Sequence, residues 1–210
     1  MLLTQQNNHV FICGLTRSGK TYFAKNATAQ LPRPVIFFNV QNEQLPSCFL
    51  TVTENDDLMQ LEKHIKSGGK IDFRFTQKCA LPQVMCIIGF IIRYFMNCGA
   101  YSQEKPLYIV IDEAQLLSGE ALKAAIDAST RGLSRGIRLV CISQRPALVD
   151  KTIYTQAAEH YIFRLQPAEK QYMQNKGVDF EKLQEMWQKF GQYSYVYTDG
   201  FIQIGHSAIK

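Results

Sequence analysis

FICGLTRSGKTYF, residues 11–23, is the stretch from which the rest of the chain is read. An apolar run ends at Cys13, Gly14 and Gly19 follow five apart, and Lys20 and Thr21 come directly after. A tight turn explains glycine, which enters backbone conformations closed to other residues. It does not explain a lysine and a hydroxyl beside it, whereas an anion accounts for all four residues. The pattern is G-x-x-x-x-G-K-[ST], a phosphate-binding loop. Its glycines let successive N–H groups converge on a phosphate, and the loop opens a helix whose N-terminus is partly positive. Lys20 is placed to reach the β- and γ-phosphates and Thr21 to offer its hydroxyl to Mg²⁺. Gly14, Leu15, Thr16, Arg17, Ser18, Gly19, Lys20, Thr21 and Tyr22 are therefore the expected nucleotide-binding set, with ATP and Mg²⁺ as cofactors.

Outward from this loop, short apolar runs alternate with helical patterns. The spacing predicts strands at 9–13, 34–40, 70–75, 106–112, 136–143 and 159–165, with a short one at 49–53. It predicts helices over 20–31, 55–67, 82–98, 119–131, 167–175 and 179–189. QYSYVYTDGFIQIG, 192–205, reads as a hairpin turning at Asp199-Gly200. Strands alternating with helices imply an α/β fold with a mostly parallel sheet, expected as a single domain over 1–210 with its core at about 9–166.

LYIVIDEAQ, 107–115, is a continuous apolar run ending in two acids. A parallel sheet presents its strands' carboxyl ends to ligand. In this Walker B arrangement Asp112 holds the Mg²⁺ shell, together with Thr21, and Glu113 orients and polarises a water. A second acid there points to hydrolysis rather than transfer to a bound acceptor.

A third stretch, RGIRLVCISQRPALVDKTI at 135–153, carries an apolar strand into Ser143-Gln144-Arg145-Pro146. The order of phosphate loop, D-E-A, then strand and S-Q-R-P resembles the FtsK–HerA branch of RecA-like P-loop motors, over about residues 9–166. The resemblance implies a RecA-like P-loop NTPase fold, with a central mostly parallel β-sheet flanked by helices and here a C-terminal hairpin. It implies a homo-oligomeric ring, pentamer or hexamer, acting on double-stranded DNA without regard to sequence. Gln144 matches the polar sensor lying between the two Walker strands. A neighbouring subunit's arginine completes the site in such rings, and Arg131 and Arg135 bracket the matching region in TRGLSRGIR. Because the chain is little more than a catalytic core, it is most similar to the genome-packaging ATPases of membrane-containing icosahedral viruses. That implies capsid vertex or portal partners and a place in the host cytoplasm or virion. A zonula-occludens-toxin-like morphogenesis ATPase and a small-molecule P-loop kinase remain as alternatives.

Composition agrees with these readings. Of 210 residues 46% are hydrophobic and 20% charged, as in an ordinary water-soluble protein, and a net charge of +5 mildly favours a polyanionic partner. Six scattered cysteines without a C-x-x-C pair read as reduced thiols. The N-terminus carries no secretory pattern, and VMCIIGFII, 84–92, is too short to span a bilayer. Basic residues at 123, 131, 135, 138, 145, 151, 164 and 170 are candidates for holding a phosphate backbone. The alternating Tyr193, Tyr195, Tyr197 and Phe201 read as a packed sheet face before a stacking platform. His9, His64, His160 and His206 show no ligand spacing.

Overall fold

The computed structural model of the chain describes residues 8–191, 193–198 and 203–205, the last three by their backbone only. In chain order the elements are β1 (Val10–Cys13), α1 (Lys20–Ala29), β2 (Val35–Asn39), β3 (Leu50–Thr53), α2 (Leu58–Lys66), β4 (Lys70–Arg74), α3 (Leu81–Asn97), β5 (Leu107–Ile111), α4 (Gly119–Arg131), β6 (Ile137–Ser143), α5 (Lys151–Gln156), β7 (Glu159–Phe163), α6 (Lys170–Asn175), α7 (Phe180–Phe190), β8 (Tyr195–Thr198) and β9 (Gln203–Gly205). The expected strands and helices are present. Among the described residues the α-helix without a sequence expectation is α5, six residues long and so too short to show a period; Asp150 caps it by accepting from the Thr152 N–H at 2.7 Å.

The strands form one sheet in the order β3-β4-β2-β5-β6-β1-β7-β8-β9. From β3 to β7 all pairs are parallel, while β8 and β9 add antiparallel strands. The C-terminal pair is the expected hairpin, although its turn at Asp199-Gly200 lies outside the described residues. Every residue of β1, β2, β5, β6 and β7 is buried, whereas β3 at the edge is largely exposed. Strands covered on both faces need apolar side chains at consecutive positions, which is why these runs do not alternate in sequence.

The two faces are covered unequally. Alternate strand residues Val10, Ile12, Val35, Phe37, Val140 and Ile142 pack beneath α1 with Phe23, Ala24 and Ala27, and with Leu45 and Phe49 from the loop between β2 and β3. The residues between them, such as Phe11, Ile36, Ile109 and Leu139, face α2–α7. There Val84, Met85, Ile88, Ile91, Ile92, Phe95 and Met96 give α3 one apolar face. It packs on α4, whose own buried side is Ala121, Ala124, Ala125 and Ala128. Small side chains there let the two helices run close together. No helix among the described residues is long and apolar enough to cross a membrane.

Candidate nucleotide-binding and hydrolysis site

The loop between β1 and α1 emerges at the carboxyl edge of the sheet. Its backbone is fastened on both sides: the Gly14 N–H donates to Ser143 O at 3.1 Å and the Leu15 N–H to Arg164 O at 2.7 Å. The two motif glycines are required for different reasons. A Cβ on Gly14 would lie 2.5 Å from Phe163 Cβ and 2.6 Å from Ser18 Oγ, so only hydrogen fits. Gly19 has φ 94°, and Arg17 also lies in the left-handed region at φ 63°. Alternation of right- and left-handed residues turns successive N–H groups to one side, which makes an anion nest.

Lys20 is buried and its ammonium donates weakly to Leu15 O at 3.4 Å. Burial pulls its pKa below the ordinary lysine value, against the opposing pull of Glu113, Asp112 and Glu43. Ser18 Oγ is buried without a hydrogen-bond partner. A buried cation under-supplied with anions, beside an orphaned hydroxyl, suits a polyphosphate.

Asp112 and Glu113 follow β5. Asp112 Oδ1 accepts from the Glu113 N–H at 3.1 Å, while Oδ2 is buried with no hydrogen-bond partner. Burial, then the neighbouring Glu113 charge, pushes the Asp112 carboxyl up to about 6. An unpartnered carboxylate oxygen near Lys20 and the loop fits a hard divalent cation, and Asp112 with Thr21 would hold Mg²⁺.

Glu113 adopts φ 58°, unusual for a residue with a side chain. Its carboxylate is gripped by three glutamine amides. Oε1 accepts from Gln41 Nε2 and, at 2.6 Å, from Gln144 Nε2; Oε2 accepts from Gln115 Nε2. Gln144 extends from the end of β6, which stands between β1 and β5. Its Oε1 accepts from Thr16 Oγ1 at 2.5 Å, so one side chain links the phosphate loop to Glu113. Ser143 Oγ donates to Gln115 Oε1 at 2.8 Å and fixes that amide's orientation.

Sequence reasoning singled out Gln144 but missed Gln41 and Gln115. The signal for Gln41 was its place just past β2, at the same carboxyl edge as Asp112. The turn that carries it is built by buried Asn39, which donates to Asp72 Oδ1 at 2.9 Å and accepts from the Glu43 N–H at 3.0 Å. Glu43 then pairs with Lys25 of α1 at 2.5 Å. An open cleft of about 460 Å³ lies above the loop, lined by Thr16, Arg17, Lys20, Thr21 and Tyr22 together with Gln41, Glu43, Gln144 and Tyr193.

Arg131 and Arg135 are not brought to this cleft. Both precede β6, and its seven residues set about 20 Å between its two ends. Arg131 pairs with Asp127 one turn earlier on α4, while Arg135 donates to Met96 O at 3.1 Å and Asn97 Oδ1 at 2.9 Å. Within one chain neither can touch the phosphates. Of the basic residues offered to a nucleic-acid backbone, Arg138 is excluded. It is buried in β6 and donates to Leu133 O and Ile137 O, because its place in a central strand turns it inward. Lys123 and Lys170 are paired with Glu120 and Glu181. Tyr195 and Tyr197 are core residues, Tyr193 is exposed, and Phe201 lies outside the described residues.

The buried titratable groups set a pH dependence of stability. Burial lowers His9, whose Nδ1 accepts from the Leu139 N–H, from 6.5 to about 4. It does the same to His160, whose Nε2 bonds Tyr154 O. Their contribution is complete above pH 6.5 and is lost as pH falls to 4, because the unfolded chain takes up these protons first. Asp112 acts oppositely: the folded carboxyl holds its proton up to about 6 and the unfolded one only to 3.8, so it favours folding as pH falls between them. Each group contributes about 1.4 kcal/mol per pH unit. Two against one leaves a net loss of about 1.4 kcal/mol per unit from pH 6 to 4. Urea denaturation of the ligand-free chain at pH 6.5, 5 and 4 should show this fall; a flat profile would contradict the burial of the two imidazoles.

A family profile described as an AAA domain matches residues 3–144. No curated protein matches the chain. The solved genome packaging NTPase B204 from Sulfolobus turreted icosahedral virus 2, in complex with ATP-gammaS, is 16% identical with a TM-score of 0.66, over 99% of this chain and 100% of that one. The DNA-packaging ATPase B204 from Sulfolobus turreted icosahedral virus is 18% identical with a TM-score of 0.66, at the same coverage. The cytoplasmic domain of EssC is 10% identical with a TM-score of 0.54, over 81% of this chain and 34% of that one. At these identities the solved structures establish a shared fold.

Proposed function

Because the chain belongs to the AAA domain family of P-loop ATPases, we propose that it is an ATP-hydrolysing motor of the FtsK–HerA type that drives double-stranded DNA into a viral capsid. The observation that carries this reading is the double engagement of Gln144 with Thr16 of the phosphate loop and with Glu113. A side chain that touches both the phosphate cradle and the base can sense the γ-phosphate and report its loss to β6. That is what a cycling motor needs and a phosphate-transfer enzyme does not. The B204 proteins, one described as a genome packaging NTPase and the other as a DNA-packaging ATPase, are matched over essentially their whole length, which supports the same task.

In this mechanism the N–H nest, Ser18 and Lys20 bind the triphosphate, while Thr21 and Asp112 hold Mg²⁺. When bound, Mg²⁺ neutralises charge on the phosphate oxygens. Glu113 directs a water for attack once at least one of its glutamine donors yields. With Arg131 and Arg135 about 20 Å away in the same chain, the arginine that completes the site comes from a neighbour in a ring of five or six. Capsid vertex or portal proteins are the further partners, in the host cytoplasm or the virion.

Steady-state ATP hydrolysis by the purified chain, with and without double-stranded DNA and over a range of protein concentration, tests the reading. Specific activity should rise with concentration and with DNA. The stimulation should fall steeply with salt and be indifferent to sequence, as phosphate contacts are. Hydrolysis indifferent to both DNA and concentration would remove the motor and leave a self-contained enzyme.

A further inference from the structure

The aromatic side chains on the α1 face end in one, Tyr193, that is only half buried. Tyr195 packs with its ring centroid 5.1 Å from Phe23 and 5.2 Å from Phe163, and Tyr197 lies 5.0 Å from Tyr161. Tyr195 and Tyr197 are 7% and 5% exposed, yet Tyr193 is 48% exposed. Tyr193 lies against the phosphate loop: a Cβ on Gly19 would be 3.2 Å from its Cδ1. It also lines the cleft above that loop.

The topology says which end of a nucleotide it would meet. Tyr195 pairs with Phe163, the last residue of parallel strand β7, so the chain just before β8 sits at the carboxyl edge, level with the phosphate loop. The sheet order β5-β6-β1-β7-β8 puts Glu113 and Gln144 on one side of that loop and Tyr193 on the other. A triphosphate whose γ end meets Glu113 therefore runs along the loop with its nucleoside directed to Tyr193. Outside the loop itself, the polar residues described as lining the cleft are Gln41, Glu43 and Gln144, which belong to the Glu113 side.

We propose that Tyr193 stacks on the nucleobase, and that the site reads the face of the base rather than its edge, so that it takes GTP as well as ATP. Every base offers a π-face, so stacking gives affinity without choosing between adenine and guanine. This rests on the nucleotide-hydrolysis reading above.

Binding of ATP, GTP and inorganic tripolyphosphate, each with Mg²⁺, is to be measured by calorimetry on the whole chain. The proteins are wild type, Tyr193→Ala, Tyr193→Phe and Lys20→Ala. Wild type should bind ATP and GTP within a few-fold of each other. Tyr193→Ala should weaken both roughly ten- to a hundredfold and leave tripolyphosphate affinity unchanged, while Tyr193→Phe keeps all three. Loss of tripolyphosphate binding in step with ATP would reduce Tyr193 to a prop for Gly19, and unchanged ATP binding would move the base elsewhere. A wild-type preference for one purine beyond about a hundredfold would overturn recognition by the face alone. Lys20→Ala separates the two readings: tripolyphosphate binding that ignores it sinks the phosphate site itself, whatever Tyr193 does.

Discussion

Glu113→Gln is expected to bind ATP nearly as wild type does and to hydrolyse it at least about a hundredfold more slowly, the usual range for loss of a general base being 10²–10⁴. The substitution keeps the shape of a side chain that accepts three glutamine amides. It also turns one acceptor oxygen into an NH₂ group, which at the Oε2 position leaves only the Gln115 amide without its partner and at Oε1 would strand both Gln41 and Gln144. That conflict costs about 1–3 kcal/mol of stability, whereas a hundredfold loss of rate is about 2.7 kcal/mol on the barrier, and the two are read by separate measurements. The loss of the base should therefore appear in the rate, and the unpartnered amide as a drop of several degrees in thermal midpoint. Single-turnover hydrolysis beside equilibrium ATP binding checks this. Normal turnover would mean that Glu113 is not the group that activates water.

The second large effect is expected at the arginines. Stabilisation of transition-state charge by a neighbour's arginine is worth 10³–10⁵ in rate. Arg131 is the better placed of the two to supply it. Its ion pair with Asp127 is on the surface, with 61% of the arginine side chain exposed, and such pairs contribute at most about 1 kcal/mol. It can be given up cheaply for a γ-phosphate across an interface. Arg135 is committed to the end of α3 through Met96 O and Asn97, so Arg135→Ala should lower stability instead. Arg131→Ala should lose turnover by about a thousandfold and keep its ATP affinity. Mixing it in equal amount with Lys20→Ala should restore about a quarter of the wild-type rate, because that share of interfaces then pairs an intact loop with an intact arginine. No recovery on mixing, with both proteins assembled, would place the arginine elsewhere. Loss of turnover at Arg135→Ala with unchanged stability would exchange the roles of the two.

Much of this molecule was legible in one dimension because its determinants are local. The strand before Gly14 and the helix after Lys20 follow from composition and spacing. The apolar runs at 107–111 and at 137–142, the second broken only by Arg138, state that both of their faces are covered, as in a sandwiched parallel sheet. Glycine at 14 and 19 was readable as a requirement, and the structure supplies the reason: Phe163 and Ser18 crowd the first, and a left-handed φ demands the second. The α5 helix was not legible, because six residues between a capping aspartate and a strand show no period.

The sequence by itself determined the phosphate loop, the paired acids after β5 and the α/β alternation, since each is written in residues that are neighbours along the chain. The place of β6 between β1 and β5 was implied by the family resemblance and is borne out by the sheet order, but only the tertiary structure decided that Gln41, Gln115 and Gln144, from three separate segments, close on one carboxylate. Only it decided that Arg138 is buried while Arg131 is not, and that of three alternating tyrosines two enter the core and the third meets the nucleotide loop. These depend on strand order and on where each strand ends, and hydrogen bonds between distant segments leave no local pattern from which to read them.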